Sequence, residues 1–127
     1  MTALPSVKFK DGQTASEFDQ IRPELRAILN DMGRYCDLSG REFVLTDLLS
    51  DAFSDAKLGR VSTSHKEGRA ADCSVNGWSE EFIAKFIEFF TDKYGHLGAV
   101  SKSDGKQRLI VDHVGTARHL HIQIKRS

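Results

Sequence analysis

Apolar residues recur at helical spacing in two stretches of the chain, and each stretch predicts an amphipathic helix. The first stretch follows Pro23, which suits the opening turn of a helix because proline has no N–H to leave unpaired. The second follows Ser79, a residue type that caps helix N-termini well. We expect both apolar stripes to face the core. Their members are Leu25, Ile28, Leu29, Met32 and Cys36 in the first helix, and Phe82, Ile83, Phe86, Ile87 and Phe90 in the second.

Shorter apolar segments, separated by turn-forming residues, are typical of β-strands. They cover residues 42–48, 70–75, 97–102, 108–113 and 119–125. The short turns between the last three favour antiparallel neighbours. The stretch 49–68 is rich in Ser, Asp and Gly, which predicts an irregular segment. The sequence therefore predicts one α+β domain over residues 1–127, in which helices pack on one face of a small antiparallel sheet.

Composition and charge narrow the range of functions. The 127 residues are 39% hydrophobic and 28% charged, which is ordinary for a globular core. Lys and Arg number 18, and Asp and Glu also number 18, so no basic excess suggests a nucleic-acid ligand. No apolar run resembles a signal peptide or a membrane span, so we expect synthesis in the cytoplasm, no membrane insertion, and action elsewhere only after delivery. We also expect a monomer. Cys36 and Cys73 are expected to be buried free thiols, and the alternative is that they pair.

Strand alternation suggests where chemistry could occur. In residues 119–124, His119 and His121 share one face, whereas Leu120, Ile122 and Ile124 share the face expected to enter the core. In residues 70–75, Asp72 lies on the face opposite Cys73. If both strands belong to one sheet, Asp72 and His121 can meet on its open face.

His65 lies shortly before the predicted strand that carries Asp72. Gly68, between His65 and that strand, permits the backbone to turn back over the open face. Two imidazole nitrogens and one carboxylate oxygen, with a fourth position open, are typical of catalytic Zn²⁺. Such a zinc ion activates water and polarises a substrate carbonyl. The alternative is that these histidines have no functional role and are ordinary solvated or hydrogen-bonded side chains.

The segment "SHKEGRAAD", residues 64 to 72, resembles the His-x-x-Gly-x-Ala-x-Asp core of the zinc D-alanyl-D-alanine peptidases, the M15-type peptidoglycan peptidases. The strand "HLHIQI" is similar to the closing His-x-His strand of the wider superfamily that includes murein endopeptidases and hedgehog signalling domains. The resemblance covers about residues 42–125. It implies that His65, Asp72 and His121 are zinc ligands, and that His119 lies beside the metal to polarise water or stabilise an oxyanion.

Two positions depart from the pattern of that family. Many members carry an acidic residue three positions before the final histidine ligand, where this chain has Arg118. Asp112, at the end of the preceding strand, is then the preferred candidate for the general base, and His113 is its rival. Relatives also often place an arginine upstream of the first ligand to bind a substrate carboxylate. Ser50 stands near that position here, with Arg60 and Arg69 as candidate replacements.

The resemblance implies a zinc-dependent peptidase that hydrolyses peptide bonds in the stems or cross-bridges of bacterial peptidoglycan. Its action would be that of a phage-type endolysin or of a D-Ala-D-Ala carboxypeptidase, and the missing upstream arginine argues against strict carboxypeptidase action and leaves endopeptidase action open. The alternative is a non-catalytic module of the same fold that keeps the zinc and binds the cell wall or a protein partner.

Overall fold

The computed structural model describes residues 3–49, 67–100, 104–115 and 117–126. The helices are α1 (Gly12–Glu17), α2 (Pro23–Leu38) and α3 (Glu80–Tyr94), and short 3-10 turns follow α1 at Phe18–Gln20 and α3 at Gly95–Leu97. The strands are β1 (Val7–Phe9), β2 (Phe43–Asp47), β3 (Ala70–Ser74), β4 (Ala99–Val100), β5 (Gln107–Arg108), β6 (Ile110–His113) and β7 (His119–Gln123).

Five of these strands form the main sheet, in the order β1–β2–β3–β7–β6. The pairs β2–β3, β3–β7 and β6–β7 are antiparallel. Of these, β6–β7 is the pair for which a short turn predicts this orientation. The edge strand β1 runs parallel to β2, so the sheet is mixed rather than wholly antiparallel. A parallel pair needs a long crossover, which α1 and α2 supply here. Strands β4 and β5 form a separate two-stranded ribbon.

The two predicted amphipathic helices are present, and local signals define their ends. Pro23 occupies the first turn of α2, and the helix ends where Gly40 adopts a φ of 73° and its N–H donates to the carbonyl of Asp37. In α3, the hydroxyl of Ser79 accepts a hydrogen bond from the N–H of Phe82 at 3.1 Å. The starts of α2 and α3 therefore lie where Pro23 and Ser79 predict them, and α2 ends at a glycine in the left-handed conformation that is common after helix C-termini.

The core lies between these helices and one face of the sheet. The α2 stripe is buried in full, and Phe82, Ile83, Phe86 and Phe90 of α3 are buried against it. The sheet contributes alternate residues, among them Leu45, Cys73, Leu120 and Ile122. Cys36 and Cys73 are both buried free thiols, as predicted. Within the described ranges, no helix is long and apolar enough to cross a membrane.

Candidate functional site

The open face of the sheet is organised by the pairing of three strands. Across β3 and β7, Asp72 lies opposite His121 and Ser74 lies opposite His119. Across β6 and β7, His113 lies opposite His119. Directly opposed residues in antiparallel strands project to the same side of a sheet. Asp72 and three histidines are therefore gathered on one face, away from Cys73 and Leu120.

Asp72 and His121 are in direct contact. The Nδ1 atom of His121 lies 2.9 Å from Oδ1 of Asp72. The Asp72 residue is only 3% exposed, so its carboxylate depends on neighbouring groups in place of water. The main-chain carbonyl of Asp72 also accepts a hydrogen bond from the hydroxyl of Thr46 in β2. The carboxylate is thus held by the centre of the sheet rather than by a loop.

The donor set of this pair fits zinc. Two donor atoms that share one tetrahedral zinc ion lie about 3.3 Å apart, because each is about 2.0–2.1 Å from the metal. The 2.9 Å separation of Nδ1 and Oδ1 is shorter than that and is the length of a hydrogen bond, so a zinc ion would have to replace the proton between the two atoms and move them slightly apart. His65, the third predicted ligand, lies outside the described residues. Among the residues that the structure does describe, no group of three or more His, Cys, Asp or Glu side chains could hold a metal ion.

The other two histidines lie beside this pair. The rings of His113 and His119 stack with centroids 4.8 Å apart, and the ring of His113 meets that of His121 edge-on at 5.9 Å. Nδ1 of His119 lies 3.0 Å from the main-chain carbonyl oxygen of Ala117. A carbonyl can only accept, so this contact requires a proton on Nδ1 and leaves Nε2 as the atom through which His119 can act.

Asp112 does not join this group. It pairs with Leu120, so it projects to the helix side of the sheet. There its carboxylate accepts two hydrogen bonds from Arg118, with Nε–Oδ1 at 3.1 Å and Nη2–Oδ2 at 2.8 Å. Arg118 also donates to Glu80 at the start of α3, and the hydrogen bonds to Asp112 and then to Glu80 raise the pKa of its guanidinium. The sheet therefore separates Asp112 from the histidines, a placement that does not suit the predicted general base.

His113, the rival candidate, does lie on the site face. Strand alternation alone places Asp112 and His113 on opposite faces of the sheet. Ile110 enters the core, and Asp112, two positions later in β6, lies on the same face, whereas His113 lies on the other.

Arg69, the candidate for substrate anchoring that lies among the described residues, makes its hydrogen bonds within the protein. Arg69 is 8% exposed, and its side chain donates to Glu67 at 2.6 Å and to the carbonyl of Ile124 at 2.9 Å. A guanidinium held in this way is part of the scaffold and does not present its fork to a ligand. Arg60 and Ser50 lie outside the described residues.

Trp78 is buried against Phe82 and Phe86, and its Nε1–H donates to the carbonyl of Glu42 at 3.0 Å.

Comparisons with known proteins leave the family open. No family model matches the chain, and no solved structure matches it. Over 92 residues the chain is 28% identical to the anaphase spindle elongation protein 1 of Schizosaccharomyces pombe. That alignment covers 67% of this chain and 13% of the length of the spindle protein. At this identity the likeness does not assign the chain to a family.

Proposed function

We propose that this chain is a zinc-dependent peptidase that hydrolyses peptide bonds in bacterial peptidoglycan stems or cross-bridges. The observation that carries the proposal is the contact between Asp72 and His121, which lie 49 positions apart in the chain and face each other at 2.9 Å. These are two of the three positions that the resemblance to zinc D-alanyl-D-alanine peptidases implies as ligands. The stacked pair of His113 and His119 beside them supplies groups suited to proton transfer.

In this proposal His65, Asp72 and His121 hold the zinc ion. The metal would polarise the scissile carbonyl and lower the pKa of a water molecule. His119, whose Nδ1 proton is fixed by the Ala117 carbonyl, acts through Nε2 to stabilise charge on the substrate oxygen. His113 replaces Asp112 as the proposed general base, because it shares the face of the ligands and Asp112 does not.

Digestion of purified peptidoglycan tests the proposal. The protein is incubated with wall material in the presence of a chelator and then with added zinc, and released fragments are identified by mass spectrometry. We expect new amine termini that disappear with the chelator and return with zinc. His121→Ala should abolish release, whereas His96→Ala, an exposed histidine after α3, should not. Fragment masses would identify the bond and so separate endopeptidase from carboxypeptidase action.

A non-catalytic wall-binding module is the second candidate, and the position of Asp112 favours it. Zinc peptidases of this type commonly use a carboxylate as the general base, and here Asp112 faces Arg118 on the helix side. A folded, zinc-loaded protein that sediments with peptidoglycan yet releases no fragment would support this module and overturn the peptidase.

A further inference from the structure

A guanidinium on the helix side of the sheet connects β6 to the start of β7. Nε and Nη2 of Arg118 donate to the two carboxylate oxygens of Asp112, at 3.1 Å and 2.8 Å. This contact is bidentate, an arrangement that fixes the orientation of both side chains as well as pairing their charges. Nη1 of the same guanidinium donates to Glu80 in the first turn of α3. We call Arg118, Asp112 and Glu80 the Arg118 tie.

Two members of the tie are chain neighbours of histidines on the site face. Asp112 precedes His113, and Arg118 precedes His119. His113 and His119 lie opposite each other across β6 and β7, and their rings stack at 4.8 Å with an interplanar angle of 18°. Successive residues of a strand project to opposite faces. The ion pair that joins β6 to β7 on the helix side therefore also sets the spacing of the two rings on the site side.

The tie also restrains the hydrogen bond of His119. Nδ1 of His119 lies 3.0 Å from the carbonyl oxygen of Ala117. That carbonyl belongs to the planar peptide unit that ends at the Cα of Arg118, so its direction depends on how Arg118 is held. The contacts of Arg118 with Asp112 and Glu80 thus help to keep the Nδ1 proton in place and Nε2 of His119 available.

This end of the β6–β7 pair has little buried apolar surface. Val114 is 72% exposed, and its neighbours His113 and Gly115 are exposed as well. β6 is also the last strand in the order of the main sheet, so among the described strands it pairs with β7 alone. Segments with few buried apolar contacts open locally at low cost. The position of His113 over His119 therefore depends strongly on the polar contacts of the tie.

We propose that Arg118 is a positioning residue that holds the stacked rings of His113 and His119 in the arrangement used for catalysis. The inference rests on the proposed function, in which His113 is the general base and His119 stabilises charge on the substrate oxygen. Arg118 acts through Asp112 and through the Ala117 carbonyl, and contacts neither substrate nor metal. Its side chain and that of Asp112 are about one quarter exposed, and ion pairs this accessible add little to stability, so the main effect is on geometry.

Steady-state release of peptides from soluble peptidoglycan fragments tests the inference. We expect Arg118→Ala to lower kcat by about 10- to 100-fold, because a shift of about 1 Å in a reacting group costs up to about 100-fold in rate. KM and the zinc content should stay within about twofold of the parent, because the pairing of β7 with β3 still holds His121 against Asp72. Asp112→Asn is a milder change, since its amide oxygen can still accept a hydrogen bond from Arg118.

Arg108→Ala is the matched control. Arg108 makes the same kind of bidentate pair with Asp104, with Nη1–Oδ1 at 2.9 Å and Nη2–Oδ2 at 2.7 Å. It lies in β5, next to the opposite end of β6, and is about as exposed as its partner. We expect Arg108→Ala to keep the kcat of the parent, and the two variants to have similar unfolding midpoints.

NMR spectra of the zinc-free protein separate positioning from simple stabilisation. The parent and Arg108→Ala should show nuclear Overhauser contacts between the rings of His113 and His119, together with the ring-current shifts of a stacked pair. Both signals should weaken or vanish in Arg118→Ala while the protein remains folded. This readout does not depend on peptidase activity. If Arg118→Ala does not fold, Arg118→Lys, which keeps the charge without the planar fork, takes its place in both measurements.

Each outcome decides the inference. A kcat within about twofold of the parent in Arg118→Ala would overturn the inference and leave the proposed function standing, whether or not the rings separate. A lowered kcat with the rings still stacked, or an equal loss in Arg108→Ala, would also overturn it, because Arg118 would then act by another route or through stability alone. A zinc-loaded parent that releases no peptide would overturn the proposed function, and the inference with it.

Discussion

Asp72 keeps only 3% of its surface exposed, so the behaviour of its charge is decided by the groups around it. A buried carboxylate needs polar partners in place of water, and the imidazole of His121, whose Nδ1 lies 2.9 Å from Oδ1 of Asp72, is one of them. At the scale of single residues, this contact is the feature on which the proposed zinc site depends.

Gly68 gives a stability prediction with a close control. Gly68 and Gly105 both adopt a φ of 70°, which disfavours side chains by about 1–2 kcal/mol. A Cβ at Gly105 meets nothing within 4 Å, but at Gly68 it meets the Cα of Ile21 at 3.1 Å. We expect Gly105→Ala to lower the free energy of unfolding by about 1–2 kcal/mol, and Gly68→Ala to lower it by about 1 kcal/mol more. Urea unfolding measures both, and equal losses would contradict the close packing.

His113 gives a prediction about rate. If it is the general base, His113→Ala should lower the rate of peptide release by about 10²- to 10⁴-fold while the protein keeps its zinc. Asp112→Asn, on the other side of the sheet, should retain most of the rate at temperatures where the variant is folded. Steady-state digestion with zinc quantified in each sample makes the comparison. Full activity in His113→Ala would remove it from the mechanism.

Among the elements, those predicted best have both a periodic pattern and a local signal for the start of the helix. α2 begins at Pro23 and α3 follows the Ser79 cap, because these signals act through the backbone nearby. β1 was not predicted, since three residues carry too little periodicity and their partner strand lies more than thirty residues away. Alternation in β3 and β7 predicts which of their residues share the open face. The same rule applied to β6 puts His113 on that face and Asp112 on the opposite one, in agreement with the strand pairing.

Asp31 of α2 pairs with Lys93 and Tyr94 of α3, so we expect the stability that this contact contributes to depend on pH. Burial disfavours ionisation of Asp31, but hydrogen bonds from Lys93, Tyr94 and Arg34 outweigh it and lower the pKa of Asp31 from its ordinary 3.8. A carboxylate with a lowered folded-state pKa stabilises the fold above its ordinary pKa, and that contribution is lost as the pH falls through the folded-state value.

Asp31→Asn should therefore lower the free energy of unfolding by about 1 kcal/mol at pH 7, a modest loss because solvent screens the ion pair of a partly exposed carboxylate. The difference from the parent should shrink as the pH falls below 3.8. Asp92→Asn, an exposed change on α3, should stay within about 0.5 kcal/mol of the parent. Chemical unfolding at several pH values measures the effect. An Asp31→Asn deficit that is constant with pH would contradict the ion-paired role of this carboxylate.

At the scale of the whole molecule, the candidate site lies on β3 and β7, next to one another within the five-stranded sheet. The pairing of residues 72 and 121 depends on the register of β3 with β7, and a one-residue slip of either strand would turn its residue into the core. Sequence could suggest that both face outward, but only the assembled sheet shows that they touch. The hydrogen bond from Arg69 to the carbonyl of Ile124 likewise joins distant parts of the chain, so no local sequence pattern predicts it.

Zinc binding to the full chain at equilibrium tests the central claim most directly. The account predicts one zinc ion per chain, lost in Asp72→Ala and in His121→Ala and retained in His119→Ala. It also predicts that zinc raises the free energy of unfolding of the parent by about 2.7 kcal/mol at a concentration 100-fold above the dissociation constant. A parent chain that binds no zinc, or equal binding by all four proteins, would contradict the account.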